Sequence, residues 1–291
     1  MTLNELLVQP FADYGFMRRA LVATLAISLG SAPVGVLLVL RRMSLVGDAM
    51  AHALLPGAAL GFLSAGFSLA AMSLGGFAAA LGVALAAGFV TRATAQREDA
   101  SFAAFYLIAL ALGVLLVSTH GNSVDLMHVL FGTVLAVDDA ALFLMAGVAS
   151  LTLFALAVVY RPLVVECLDP AFLRNAGGRG PLVHALFLVL VVANLVAGFQ
   201  ALGTLMAVGL MMLPATAARF WADEVWSLAL AASLIALVSG FVGLLLSFHA
   251  QWPSGPAIVL VAGLMYMLSL AVGTREGLIW QSLRHPRHRS A

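Results

Sequence analysis

Uncharged, strongly apolar stretches recur along the whole of this 291-residue chain. Stretches of about twenty apolar residues are long enough to cross the roughly 30 Å hydrocarbon core of a bilayer as helices. Hydrophobic residues make up 63% of the chain and charged residues only 9%, whereas soluble domains carry about 25% charged residues. Because no soluble core could bury so much apolar surface, we predict an all-α polytopic membrane protein. Residues 1–291 are expected to form a single transmembrane domain.

Nine stretches qualify as membrane spans, and eight is the alternative count. The connections near Phe67 and Ala201 are so short that one broken helix could replace two of the spans. The approximate bounds of the nine are 20–40, 48–66, 68–90, 101–118, 140–160, 182–199, 201–218, 225–247 and 256–273.

The arginines, which are the only basic residues of the chain besides histidine, predict its orientation. Every second connection carries arginine, and cytoplasmic loops of membrane proteins accumulate basic residues. With the arginine-containing connections inside, only Arg18 and Arg19 lie on the other side. This predicts an external N-terminus with an interfacial segment over residues 1–18, and a basic cytoplasmic tail over 275–291. The eight-span alternative places the N-terminus inside.

Several function classes are excluded by what the sequence lacks. The net charge of +1 does not fit a nucleic-acid-binding surface, which needs clustered positive charge. The chain contains no GxxxxGK[ST] phosphate-binding loop and no HExxH zinc motif. It therefore cannot hydrolyse ATP alone. We predict a protein that is not an enzyme, that has no cofactor and that contacts membrane lipid.

The strongest candidate site is the pair Asp48 and His52 in the segment GDAMAHALLPG. Residues four apart share one face of a helix, and carboxylate and imidazole are common ligands of divalent cations. Ionisable groups at membrane depth are costly and usually functional. Pro56 adds a helix defect, because proline lacks the N–H that would bond the carbonyl of His52. The alternative is purely structural: Asp48 caps the helix and His52 bonds a neighbouring helix.

Two further segments carry candidate residues. Asp125 and His128, three residues apart in VDLMH, form a second possible metal pair, but in a predicted external loop where water solvates them easily. The connection over residues 161–181 is the longest on the predicted cytoplasmic side. Within it, Asp169 followed by proline is typical of a helix start.

Several blocks of sequence, in the same order, resemble the membrane permeases of zinc/manganese-type ABC transporters, which import divalent metals in bacteria. The resemblance spans nearly the whole chain and implies the architecture of vitamin-B12 and metal-chelate importer permeases. The blocks are FMRRAL at 16–21, LVLRRMSLVGDAMAHALLPGAALGF at 38–62, EDASFAAFY at 98–106, VDLMHVLFGTVLAV at 124–137, CLDPAFLRNAG at 167–177, LMMLPATAAR at 210–219 and SGPAIVLVA at 254–262.

The resemblance implies a homodimer in the bacterial inner membrane, two cytoplasmic ATP-binding subunits beneath it and a periplasmic metal-binding protein outside. It implies that Asp48 and His52 face the path between the two copies. It also implies that Asp169, Phe172 and Arg174 contact the ATP-binding subunit and couple ATP hydrolysis to transport.

The predicted function is therefore the permease of an ATP-driven divalent metal importer. Zinc is the predicted cargo, because affinity order alone favours it over Mn²⁺ and Fe²⁺. A manganese or iron importer of the same type is one alternative, and a stand-alone secondary metal carrier is another. A permease for a metal chelate or cobalamin would need a wider, more apolar path without the Asp48 and His52 pair.

Overall fold

The computed structural model describes residues 3–66, 68–94, 96–120, 137–169, 172, 180–275 and 277–279. Over these ranges the chain is helical and contains no strand. The helices are α1 Leu3–Leu7, α2 Gln9–Asp13, α3 Gly15–Leu40, α4 Ser44–Ala53, α5 Leu55–Ala65, α6 Leu69–Ala93, α7 Glu98–His120, α8 Asp139–Leu168, α9 Gly180–Leu202, α10 Thr204–Ala218, α11 Val225–Ala250 and α12 Ser254–Val272.

Eight helical stretches are long and apolar enough to cross a membrane, which confirms the predicted all-α membrane fold. One of the eight is composite, because α4 and α5 together form the stretch Ser44–Ala65. The predicted span over 201–218 is instead the shorter helix α10, at 15 residues. The break that shortens it lies at Gly203, whose φ of 83° is a left-handed conformation that glycine adopts without steric cost.

Although α10 is short, it carries the chain from one end of α12 to the other. A Cβ at Gly255, at the start of α12, would lie 3.9 Å from the carbonyl oxygen of Leu202, just before α10. Beyond the other end of α12, the N–H of Arg275 donates to the carbonyl of Phe220, just after α10, at 3.2 Å. The chain therefore crosses the bundle once more than the eight long stretches alone would indicate.

The two ends of the described chain consequently lie at opposite faces of the bundle. The rings of Tyr14 and Phe248 are 5.3 Å apart, and Nε2 of His249 lies 3.1 Å from the carbonyl oxygen of Leu6. These contacts place the N-terminal segment beside the end of α11, whereas Arg275 lies at the far end of α12. The arrangement agrees with the odd number of crossings in the nine-span prediction. It differs from the eight-span alternative, which places both ends of the chain on one side.

The helices divide into an inner and an outer set. The most apolar window of α3 is 78% buried, whereas that of α8 is only 17% buried. α3 packs against α8, α10 and α11, so it lies in the middle of the bundle. The outer helices present leucine, phenylalanine and valine side chains outward, as expected where lipid or a second copy covers the surface.

Candidate metal-transit site

Helix α4 carries the predicted pair and lies among several neighbours. It packs against α3, α6, α7, α9 and α10. Val46, Met50 and Ala53 are buried in these contacts. Asp48 and His52 lie on the remaining face, which points out of the single chain. Leu45, one turn before Asp48, is also exposed on this face. The acid and the base therefore form a site that is accessible from outside the single chain.

The pair has a geometry suited to a shared cation. Oδ1 of Asp48 lies 3.7 Å from Nε2 of His52, and the two side chains are 63% and 37% exposed, respectively. This separation is too long for a hydrogen bond. With bonds of about 2.1 Å to each atom, it corresponds to an angle of about 120° at an ion between them. The distance between the two atoms is therefore compatible with one ion bound between them.

Tyr106 of α7 completes the surroundings of His52. The centroids of the two rings are 6.2 Å apart and the ring planes are inclined by 28°, so the phenol lies roughly parallel to the imidazole. This contact joins two helices, and no spacing in the sequence indicates it. The one sequence signal is that Tyr106 ends EDASFAAFY at 98–106, a block that carries the family resemblance.

A tight turn between α3 and α4 positions the site. Arg42 adopts a φ of 58°, which is unusual for a residue other than glycine. The N–H of Met43 donates to the carbonyl of Leu38 at 2.9 Å, which closes the turn. The guanidinium of Arg41 lies 5.2 Å from the centre of the Phe187 ring, in the range of a cation–π contact. These contacts fix where α4 begins and hence where its polar face points.

The junction between α4 and α5 contains the predicted proline. Pro56 stands in the first turn of α5, and Leu54 separates the two helices. Because Pro56 has no N–H, the carbonyl of His52 lacks the donor that a residue four positions further on normally supplies.

Within the part of the chain that the structure describes, the candidate site of one chain consists of the Asp48 and His52 pair. Among those residues, no group of three or more His, Cys, Asp or Glu side chains is placed to hold a metal ion. A resident structural metal usually has four protein ligands. A two-ligand site in each chain is better suited to an ion that binds briefly and leaves.

The other predicted site residues fall into two groups. Asp125, His128 and Arg174 lie outside the described residues, so their predicted roles stay predictions. Asp169 directly follows α8, and its Oδ1 accepts the N–H of Phe172 at 2.9 Å. That bond is the one an aspartate N-cap makes, and the Phe172 ring is exposed.

Comparisons with known proteins agree with the fold. The model of the ABC 3 transport family matches residues 13–273. The manganese import system permease protein ScaB of Streptococcus parasanguinis is 31% identical over 265 residues, which cover 91% of this chain and 93% of that protein. The manganese transport system membrane protein MntC of Listeria innocua is 30% identical over 276 residues, covering 94% and 97%.

A solved structure extends the likeness to three dimensions. PsaBC from Streptococcus pneumoniae, determined in complex with a Fab, contains a chain that superposes with a TM-score of 0.84 at 26% identity. The match covers 98% of the chain described here and 100% of the other. The fold is thus shared over the full length.

Proposed function

The chain belongs to the ABC 3 transport family, and from this we propose that it is the membrane permease of an ATP-driven importer of divalent metal ions. The observation that carries the proposal is the outward-facing pair of Asp48 and His52, whose nearest side-chain atoms are 3.7 Å apart. A site made of one carboxylate and one imidazole suits a small cation, whereas a bulky chelate would need a wider and more apolar path.

The pair acts by replacing part of the hydration shell of the ion. In the proposed dimer, each copy contributes one carboxylate and one imidazole, so that four ligands surround an ion on the path between the copies. Few and exposed ligands keep release fast, which transport requires. Direction comes from closure of the ATP-binding subunits, which opens the path to one side at a time.

Manganese is the cargo we propose first. The names of the related ScaB and MntC proteins specify manganese, and they favour this alternative over the zinc predicted from affinity order. A mixed oxygen and nitrogen site accepts Mn²⁺, Fe²⁺ and Zn²⁺, so affinity order alone does not decide which ion is transported. Iron remains the second alternative.

The proposed importer needs protein partners on both sides of the membrane. The chain lacks a phosphate-binding loop, so ATP hydrolysis is assigned to two separate cytoplasmic subunits. We place Asp169, Phe172 and Arg174 at the contact with these subunits. A periplasmic metal-binding protein delivers the ion from outside, the membrane is the bacterial inner membrane, and the C-terminus is cytoplasmic.

The test is metal uptake into vesicles that contain the permease with its ATP-binding subunit and receive the metal-binding protein on the periplasmic side, with Mn²⁺, Zn²⁺ and Fe²⁺ offered separately. We expect Asp48→Asn and His52→Gln each to lower ATP-dependent Mn²⁺ uptake at least about tenfold, because even residues that only orient metal ligands contribute that much. Asp139→Asn is the matched control, because Asp139 is also exposed but lies near Arg19, at 3.5 Å. The permease should still assemble with its ATP-binding subunit in every variant.

Two results would overturn parts of the proposal. Normal uptake by both site variants would exclude Asp48 and His52 as the transit site. Full uptake by this chain alone, without ATP, would favour a secondary carrier over an ATP-driven importer.

A further inference from the structure

A groove of about 400 Å³ lies between α11 and α12. Its floor includes the buried side chains of Ile235 and Ser269, and its walls include the exposed Leu234 and Leu268. α12 packs against α10 and α11, whereas α4 with the metal pair packs against α6 and α7. The groove is therefore a feature separate from the transit site, on the outer surface of a bundle that spans the membrane.

The position of the groove along the helices places it in one leaflet, near the membrane surface. It is lined by residues 231–235 in the first half of α11 and by residues 265–272 at the end of α12, and Trp221 stands at its end. The indole N–H of Trp221 donates to Oγ of Ser269 at 2.9 Å, and that hydroxyl donates to the carbonyl of Met265 at 2.7 Å. Tryptophan is enriched where hydrocarbon meets headgroups. The hydrogen-bonded indole thus marks the end of the groove that lies at the membrane interface.

An ion pair stands beside this end of the groove. The guanidinium of Arg275 lies 2.7 Å from Oδ2 of Asp223, and the two side chains are 57% and 60% exposed. The N–H of Arg275 donates to the carbonyl of Phe220, which holds the pair next to Trp221. A guanidinium has five N–H donors and a carboxylate has about four acceptor positions, so both groups retain capacity for a ligand.

From this arrangement we infer that the groove binds one phosphatidylethanolamine molecule. An acyl chain fills the groove, the lipid phosphate accepts a hydrogen bond from Arg275, and the ammonium group donates a hydrogen bond to Asp223. A cation and an anion side by side complement a zwitterionic headgroup, whereas an anionic headgroup would meet the charge of Asp223. The choline ammonium carries no N–H, so it cannot donate a hydrogen bond to that carboxylate. The lipid site is independent of which metal the chain transports.

The experiment uses the full chain in bilayers and the fluorescence of Trp221. The chain has four tryptophans, and Trp226→Phe, Trp252→Phe and Trp280→Phe leave Trp221 as the single probe. Lipids with brominated acyl chains and ethanolamine, choline or glycerol headgroups are then compared as quenchers. We expect brominated phosphatidylethanolamine to reach half-maximal quenching at an about threefold lower mole fraction than the choline lipid, the scale of one exposed ion pair.

Three variants separate the headgroup from the groove. Asp223→Asn should remove the preference for ethanolamine over choline. Ala231→Phe in α11 should fill the groove and reduce quenching by every brominated lipid, whereas Leu264→Phe, at an exposed position of α12 outside the groove, should leave quenching unchanged. Equal quenching by the ethanolamine and choline lipids before these changes would overturn the inference, and so would stronger quenching by the glycerol lipid.

Discussion

The ring of Tyr106 on α7 lies roughly parallel to the ring of His52 on α4, with centroids 6.2 Å apart and planes inclined by 28°. The imidazole is partly exposed, and its Nε2 lies 3.7 Å from Oδ1 of Asp48. We propose that the neighbouring phenol limits the rotation of the imidazole ring and so keeps Nε2 near the carboxylate, without being a metal ligand itself.

We expect Tyr106→Ala to raise the metal concentration for half-maximal uptake by about tenfold, the low end of effects measured for residues that orient metal ligands. The maximal rate should change less, because both ligands remain. Uptake at graded metal concentrations in vesicles with the ATP-binding subunit measures both quantities. Tyr106→Phe is the matched control and should behave like the parent, because it keeps the ring. An unchanged half-saturating concentration in Tyr106→Ala would show that the ring does not orient His52.

The sequence predicted the parts of this site that depend on local geometry. The spacing of four residues placed Asp48 and His52 on one helix face, and the structure brings them to 3.7 Å. Tyr106 could not be predicted, because its contact with His52 depends on how α7 packs against α4. Contacts between helices that are distant in sequence depend on tertiary packing, and residue spacing in a single sequence does not indicate them.

The length of α10 shows a second limit of the same kind. The apolar run over 201–218 has the composition of a membrane span, and the chain does cross the bundle there, but the helix has only 15 residues. Helices of 15 and of 20 residues are equally apolar, so composition predicts the crossing and not where the helix begins. The conformation of Gly203, at a φ of 83°, decides the outcome.

The contact between α5 and α6 provides a prediction about stability. Gly57 and Gly75 face each other so closely that a Cβ on Gly75 would overlap the carbonyl oxygen of Gly57. We expect Gly75→Ala to lower the free energy of unfolding by about 1–3 kcal/mol, because the backbones must separate. In the same helix, a Cβ at Gly82 would have no described atom within 4 Å. Gly82→Ala should therefore melt at or slightly above the parent temperature.

Thermal unfolding of the purified protein in one detergent measures both changes. The comparison within α6 removes the effect of helix propensity, since both variants replace glycine by alanine in the same helix. If Gly75→Ala and Gly82→Ala melted together, the close approach of α5 and α6 would not limit stability.

A buried hydrogen bond between α8 and α9 gives an independent prediction. Nδ2 of Asn194 donates to Oγ1 of Thr152 at 2.8 Å and to the carbonyl of Leu190 at 2.9 Å. Both side chains are buried. We expect Asn194→Ala and Thr152→Val each to destabilise the chain, and the double variant to lose about 0.6 kcal/mol less than their sum, the average for such bonds in membrane proteins. Strictly additive losses, measured by reversible unfolding in detergent, would show that the bond contributes nothing.

The short bond after α8 tests the proposed coupling to ATP hydrolysis. Oδ1 of Asp169 accepts the N–H of Phe172 at 2.9 Å, so the carboxylate fixes the backbone that presents the exposed Phe172 ring. Losing such a cap costs about 1 kcal/mol locally. We expect Asp169→Ala to loosen this turn and to lower metal uptake per ATP hydrolysed, which is measured by following both processes in the same vesicles.

Replacing Asp169 by asparagine separates the cap from the charge, because asparagine caps helices about as well as aspartate. If the backbone position of Phe172 is what matters, Asp169→Asn should couple like the parent while Asp169→Ala does not. If the carboxylate instead pairs with a basic group on the ATP-binding subunit, both variants should lose coupling. In that case the coupling of the parent should also weaken as the salt concentration rises, because salt screens exposed charges. Normal coupling in Asp169→Ala would exclude Asp169 from the proposed contact. The coupling of Phe172→Ala, measured in the same vesicles, would then show whether the aromatic side chain alone makes the contact.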